Sequence, residues 1–219
     1  MSAFCIYCGT DENLTVDHVP PKLLLMRPYP PDLITVPACQ PCNQSFQKDD
    51  EYLRTMLCLD VRNARNSAAQ FNLPAVLRSL QREDSRAFNV YLSGKAETST
   101  VLGTDGKPFG QIFELDKARA NRTGQRFIRA LYYRETGKTL PTDALLRVGC
   151  HDRLRTVDAE FKEMCRALAK FPEHKHGHVG TAFGYLAALG YPYSAWLMQL
   201  YDSFIWLGTI ELPRDKAGS

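Results

Sequence analysis

Residues 5–43 read CIYCGTDENLTVDHVPPKLLLMRPYPPDLITVPACQPCN, and this stretch decides the architecture. It opens on Cys5-Ile6-Tyr7-Cys8 and closes on Cys39-Gln40-Pro41-Cys42, two Cys-x-x-Cys pairs with thirty residues between them. A knuckle of this kind turns the chain so that both sulfurs face one point, and two knuckles can place four thiolates tetrahedrally around a single Zn²⁺. The loop exceeds the usual length of about fifteen to twenty residues, but the entropy of closing a loop grows only slowly with its length. Either pair alone also reads as a redox dithiol. That alternative does not account for two pairs flanking one small module. Zinc held by four cysteines has no open position, so it is expected to hold the fold and not to perform chemistry.

Working outward, seven of the thirteen prolines fall between positions 20 and 41, which favours loops and short extended pieces. Thr15–Val19 and Leu33–Val36 are β-branched or aliphatic and read as two short strands. From Lys48 onward Tyr52, Leu53, Met56, Leu57 and Val61 recur at helical intervals, ending before Asn72-Leu73-Pro74. The order is therefore strand, loop, strand, helix. Inside the zinc loop lies Asp17-His18, and Asn43 follows the last cysteine at the start of the predicted helix. Adjacent residues on a strand point to opposite faces, so an isolated Asp-His pair would be an ordinary surface feature. Enclosure by the metal loop makes it a candidate site.

These residues together resemble the HNH endonucleases, whose shared unit is the ββα-metal, or His-Me, finger. The match runs through Cys5-Ile-Tyr-Cys8-Gly9, then Val16-Asp17-His18-Val19-Pro20-Pro21-Lys22, then Asp32-Leu-Ile-Thr-Val-Pro-Ala-Cys39-Gln-Pro-Cys42-Asn43, covering residues 4 to about 54. The resemblance implies that His18 is the general base for the attacking water, and that Asp17 and Asn43 are the ligands of one catalytic divalent ion, Mg²⁺ or a similar cation. It also implies products with 3′-hydroxyl and 5′-phosphate ends. Two positions depart from the usual pattern: Asp32 stands where an Asn commonly opens the second strand, and Asn43 replaces the last His. Asp32 is expected to brace the loop that orients the base. Lys22, Lys48 and Arg54 are placed to meet phosphates flanking the cut, and each also reads as a solvated surface charge.

Across all 219 residues, 27 Lys and Arg stand against 24 Asp and Glu, a net charge of +3, with 44% hydrophobic residues. This is the composition of an ordinary globular protein, which excludes a disordered tail, a collagen-like chain or a coiled coil. Residues 1–59 hold four basic and seven acidic side chains, a balance of −3, leaving +6 for the rest. The later helices are thus expected to grip nucleic acid. The strongest candidate is 117–138, where Arg119, Arg122, Arg126 and Arg129 step by three, four and three onto one helical face, with Phe127, Ile128 and Leu131 roughly opposite. The same face also reads as plain solvated charge.

The remainder is expected to be mainly helical, with helices at 74–92, 116–136 and 155–170. A β-hairpin is predicted at Asp105-Gly106 between 99–102 and 111–115, and a strand-rich ending at 196–212. The fold class is therefore α+β: a zinc-stabilised ββα-metal finger over 1–70 and a mainly helical DNA-binding or accessory region over 71–219. His174, His176 and His178 are expected on a solvated loop. Seven cysteines, an odd number, argue against a disulfide framework; Cys58, Cys150 and Cys165 read as buried small hydrophobes. No signal peptide is visible, so a cytoplasmic chain with reduced thiols is expected. The apolar run from Phe183 to Ile210 is interrupted by Gly184, Gly190 and Pro192, which favours a buried core element over a membrane span.

The expected function is metal-dependent cleavage of DNA phosphodiester bonds. Proteins of this small HNH type often occur in antiphage defence or mobile elements, sometimes beside an ATPase partner. A zinc-stabilised nucleic-acid-binding or interaction module without catalysis, and the same chemistry directed at RNA, are the alternatives.

Overall fold

A computed structural model of the chain describes residues 4–94, 96–102, 108–152, 166, 168 and 173–213. β1 (Leu14–Val19) and β2 (Ile34–Cys39) form an antiparallel pair in which His18 faces Thr35 and Asp17 faces Val36. β2 runs directly into α1 (Gln40–Ser45), with Cys39 still extended as its N-cap and Pro41 in the first turn, where no amide hydrogen is needed. After Phe46, α2 (Gln47–Leu59) begins.

The single helix expected from Lys48 to about residue 72 is in fact interrupted. At Asp60 the backbone turns extended and the side chain accepts the Arg62 amide, opening a tight turn at 61–63. Asn66 then accepts from the amides of Ala68 and Ala69 and starts α3 (Ser67–Leu80). Short polar side chains that bond to nearby backbone break a helical run more effectively than the apolar spacing sustains it. The helix expected at 74–92 is likewise two: α3 runs through Pro74, and α4 (Arg86–Ser93) follows a turn at 83–85.

The hairpin is present as β3 (Ala96–Leu102) and β4 (Pro108–Phe113), and its predicted turn at Asp105-Gly106 lies outside the described residues. α5 (Lys117–Thr136) occupies the predicted range, capped by Asp116, whose carboxylate accepts the Arg119 amide. Apart from residues 166 and 168, the helix expected at 155–170 lies outside the described residues, as does Cys165.

A correction concerns the amount of sheet. β5 (Leu145–Asp152), β6 (Glu173–Val179), β7 (Phe183–Leu189), β8 (Tyr193–Leu200) and β9 (Phe204–Glu211) build one antiparallel sheet in the order β5-β9-β8-β7-β6. Among the described residues, the accessory region is thus as much sheet as helix. The histidines predicted on a loop lie on the edge strand β6, where His174, His176 and His178 are all exposed. Their alternation is strand periodicity. The intervening residues include Gly177, whose missing side chain makes room for the Tyr185 ring, so no apolar face announced the strand.

α5 lies across this sheet, with Phe127 packed on Phe183 of β7 and Trp206 of β9, and with Ile128 and Leu131 also completely buried. One continuous core runs from Ile6, Val19 and Ile34 through Leu53 and Leu57 to Phe127, Trp196 and Trp206. The close approach is at Gly124, where a Cβ would stand 2.8 Å from both Trp206 Cδ1 and Val148 Cγ1. Trp206 cannot easily retreat, because its Nε1 donates to the Ala120 carbonyl at 3.0 Å. Gly124→Ala gains about 1 kcal/mol of helix propensity but overpacks this contact by about 1–3 kcal/mol. A net loss of stability is expected, read as a lower denaturant midpoint with an unchanged slope. A higher midpoint would show that the contact relaxes freely. Among the described residues no helix is long and apolar enough to cross a membrane.

Candidate functional site

The first knuckle closes on itself, with the Cys5 amide donating to Thr10 O at 2.7 Å and the Gly9 amide to Cys5 O at 2.8 Å. Gly9 carries φ +82°, a conformation that L side chains resist. The Ile6 amide donates to Pro37 O and docks this turn on β2. Cys39 and Cys42 come from the β2–α1 junction. The four sulfurs lie within 4.8 Å of one another, with Cys8 Sγ and Cys39 Sγ 3.6 Å apart. Sulfurs about 2.3 Å from a tetrahedral zinc lie roughly 3.8 Å from each other, so the spacing suits a structural metal such as zinc. Burial raises the Cys42 thiol, as do the neighbouring sulfurs of Cys39 and Cys8, a cost that a bound dication relieves. Of the other thiols, Cys58 is buried and Cys150 half-buried against the core, as expected of small apolar side chains.

The second knuckle also delivers Asn43. Its Nδ2 donates to Thr15 Oγ1 at 3.2 Å and to the Val16 carbonyl at 3.3 Å. Because a carbonyl accepts only from the amide nitrogen, the side-chain oxygen of Asn43 faces away from these contacts. Asn43 is thereby tied to β1 immediately before Asp17 and His18. The strand alternates as expected: Asp17 is turned inward and 4% exposed, while His18 is half-buried. Burial, and then the nearby Lys22 ammonium, hold His18 below its ordinary value in spite of Asp17, which keeps the imidazole neutral at pH 7.

Asp17 Oδ2 accepts the Tyr7 hydroxyl at 2.6 Å, leaving Oδ1 without a hydrogen-bond partner among the described residues. One carboxylate oxygen and one amide oxygen are hard donors and suit Mg²⁺, which keeps most of its water. Asp32 is not joined to these residues by any described contact. It precedes β2 and lies 3.5 Å from His178 Nε2 on β6.

The basic residues divide. Lys22 opens a single turn after β1 and holds its ammonium 5.3 Å from the Tyr29 ring centre. Lys48 has an exposed side chain at the start of α2. Arg54 is half-buried: its Nε has no hydrogen-bond partner among the described residues, and its charge acts on Cys58 and Tyr201.

The open cationic face expected on α5 is also corrected. Arg119 Nε lies 2.7 Å and Arg122 Nε 2.9 Å from the Asp49 carboxylate, and Arg119 stacks 4.4 Å over Tyr52. Arg126 is 3% exposed, with Nη1 2.9 Å from Asp50. Arg129 is half-buried, which leaves Arg122 as the open member of the row. The acidic partners are supplied by α2, some seventy residues away in the chain. Although burial raises it, Asp49 is held low by Arg122 and Arg119. Asp50, more deeply buried, is pushed up to about 6 even with Arg126 beside it.

Sequence reasoning missed Tyr7 and Arg126 as neighbours of Asp17. Tyr7 carries a local signal, being an aromatic residue between two metal-type cysteines. Arg126 carries none, since its partners are brought by packing. Comparison with protein-family models, with curated proteins and with solved structures finds no match.

Proposed function

We propose that this chain is a metal-dependent endonuclease of the HNH type, hydrolysing phosphodiester bonds in DNA. The observation that carries the reading is the return of Asn43 onto β1, where it is fastened to Thr15 and Val16 beside Asp17-His18. The four-cysteine cluster and the order β1, β2, α1, α2 provide its frame. In this reading the cluster holds zinc and shapes the turn, and takes no part in the reaction. Asp17 and Asn43 are the residues that would hold Mg²⁺ or a similar ion, which would neutralise charge on the scissile phosphate. His18, neutral at pH 7, accepts the proton of the attacking water. Lys22, beside His18, and the exposed Lys48 are placed to meet the nucleic-acid backbone, and Arg122, exposed but paired with Asp49, would have to exchange that partner for a phosphate. Arg126 is buried against Asp50 instead.

The deciding experiment incubates the purified protein with supercoiled plasmid and with single-stranded and structured RNA, in Mg²⁺ or in EDTA. Nicked or linear plasmid in Mg²⁺ alone is the expected result. Cleavage of RNA alone would redirect the chemistry to RNA. Binding without cleavage of either would leave a zinc-stabilised binding module and overturn the nuclease reading.

A further inference from the structure

Behind β1 lies a charged cluster that the proposed reaction does not use directly. Asp17 is 4%, Asp50 6% and Arg126 3% exposed. Arg126 Nη1 pairs with Asp50 Oδ2 at 2.9 Å, while its Nε stands 3.9 Å from Asp17 Oδ2, beyond hydrogen-bond reach. Arg126 Nε and Nη2 are buried with no hydrogen-bond partner among the described residues. The guanidinium is held in place by aromatic rings, 4.6 Å from the centre of Phe46 and 5.1 Å from that of Phe127.

Buried donors without acceptors are costly, and with Asp50 Oδ2 already engaged at Nη1, the Asp17 carboxylate stands 3.9 Å from Nε. Asp17 is already at ion-pair distance from Arg126, and a small rotation would bring it into hydrogen-bond contact with these donors. What opposes that rotation is the Tyr7 hydroxyl, donating to the same Oδ2 at 2.6 Å. Tyr7 is itself fixed twice: it lies between Cys5 and Cys8 in the knuckle, and its ring meets Phe46 edge-on at 5.0 Å.

We infer that Tyr7 is a positioning residue for the candidate divalent-ion site: it holds Asp17 off Arg126 and so keeps Oδ1 turned toward the ion. The inference rests on the reading of Asp17 as a ligand. It gives the structural metal a second task, because the knuckle it closes carries the hydroxyl that sets the ligand. Without that hydroxyl, Asp17 turns inward onto Arg126. The chain then loses ion affinity without losing stability, since a charge-assisted hydrogen bond from Arg126 replaces the one lost from Tyr7.

The test uses the full-length, zinc-loaded protein with Mn²⁺ as the probe, bound ion being read by electron paramagnetic resonance and competed with Mg²⁺. Wild type is expected to bind one Mn²⁺ that Asp17→Asn weakens. Tyr7→Phe is expected to keep its zinc and its melting temperature while its Mn²⁺ dissociation constant rises about 10–100-fold, the usual effect of losing a partner behind a metal ligand. A Tyr7→Phe protein that melts lower but binds Mn²⁺ as wild type does has lost only a structural contact, and the inference fails while the nuclease reading stands. Should wild type bind no Mn²⁺ at all, both fail. A Tyr7→Phe protein that loses its zinc would show that the hydroxyl holds the knuckle itself, and the inference fails there too.

Discussion

His18→Ala is expected to slow plasmid cleavage about 10²–10⁴-fold, the range over which a positioned general base contributes. The substitution removes a half-buried side chain on the outer side of β1, opposite Thr35, so no core cavity opens. Asp17 and Val19 face inward and keep their packing. Zinc content, melting temperature and Mn²⁺ binding should therefore match wild type, and the loss should appear in the single-turnover rate at saturating Mg²⁺. Added imidazole, small enough to enter the vacated space, should restore part of that rate. A His18→Ala protein that cuts at the wild-type rate would remove His18 from the chemistry, whatever becomes of the metal ligands.

The second large effect is expected at the thiols. Cys39 ends β2, caps α1 and is 3% exposed, so its replacement by serine breaks the junction that delivers Asn43. Apolar packing around the cluster is small, with Cys5, Ala38 and Cys39 its only buried members among the described residues. Such a cluster does not hold two knuckles together unaided. Structural zinc contributes about 10–16 kcal/mol in small zinc modules, as much as the total stability of a typical domain, about 5–15 kcal/mol. Cys39→Ser should thus fall from one zinc per chain to none, lose a cooperative melting transition and lose Mn²⁺ binding. A strong chelator acting on wild type should do the same, more readily in acid, where protons compete for the thiolates. A zinc-free chain with an unaltered melting curve would show that the cysteines are not structural.

Much of the frame was legible because its determinants are local. The two knuckles, the strands near 15–19 and 33–36 and the helix over 116–136 each follow from spacing, β-branching or capping within a few residues. The helix from Lys48 was read as longer than it is because Asp60 and Asn66 divert the backbone through their own side chains, a preference that apolar periodicity does not register. β6 was missed because a strand with Gly177 and three exposed histidines presents no apolar alternation.

Of the candidate site, the sequence by itself determined which residues are available: four metal-type cysteines, Asp17 beside His18, and Asn43 on the last knuckle. Only the tertiary structure decided what the arginines do. The −3 of residues 1–59 and the +6 of the remainder meet at the seam between Gln47–Leu59 and Lys117–Thr136, where Asp49 and Asp50 take up Arg119, Arg122 and Arg126. Counted along the chain, the arginine row has no acid beside it; folded, it faces acids some seventy residues away. Coulomb attraction depends on distance in space and on the water excluded between the charges, and neither is set by position in the chain.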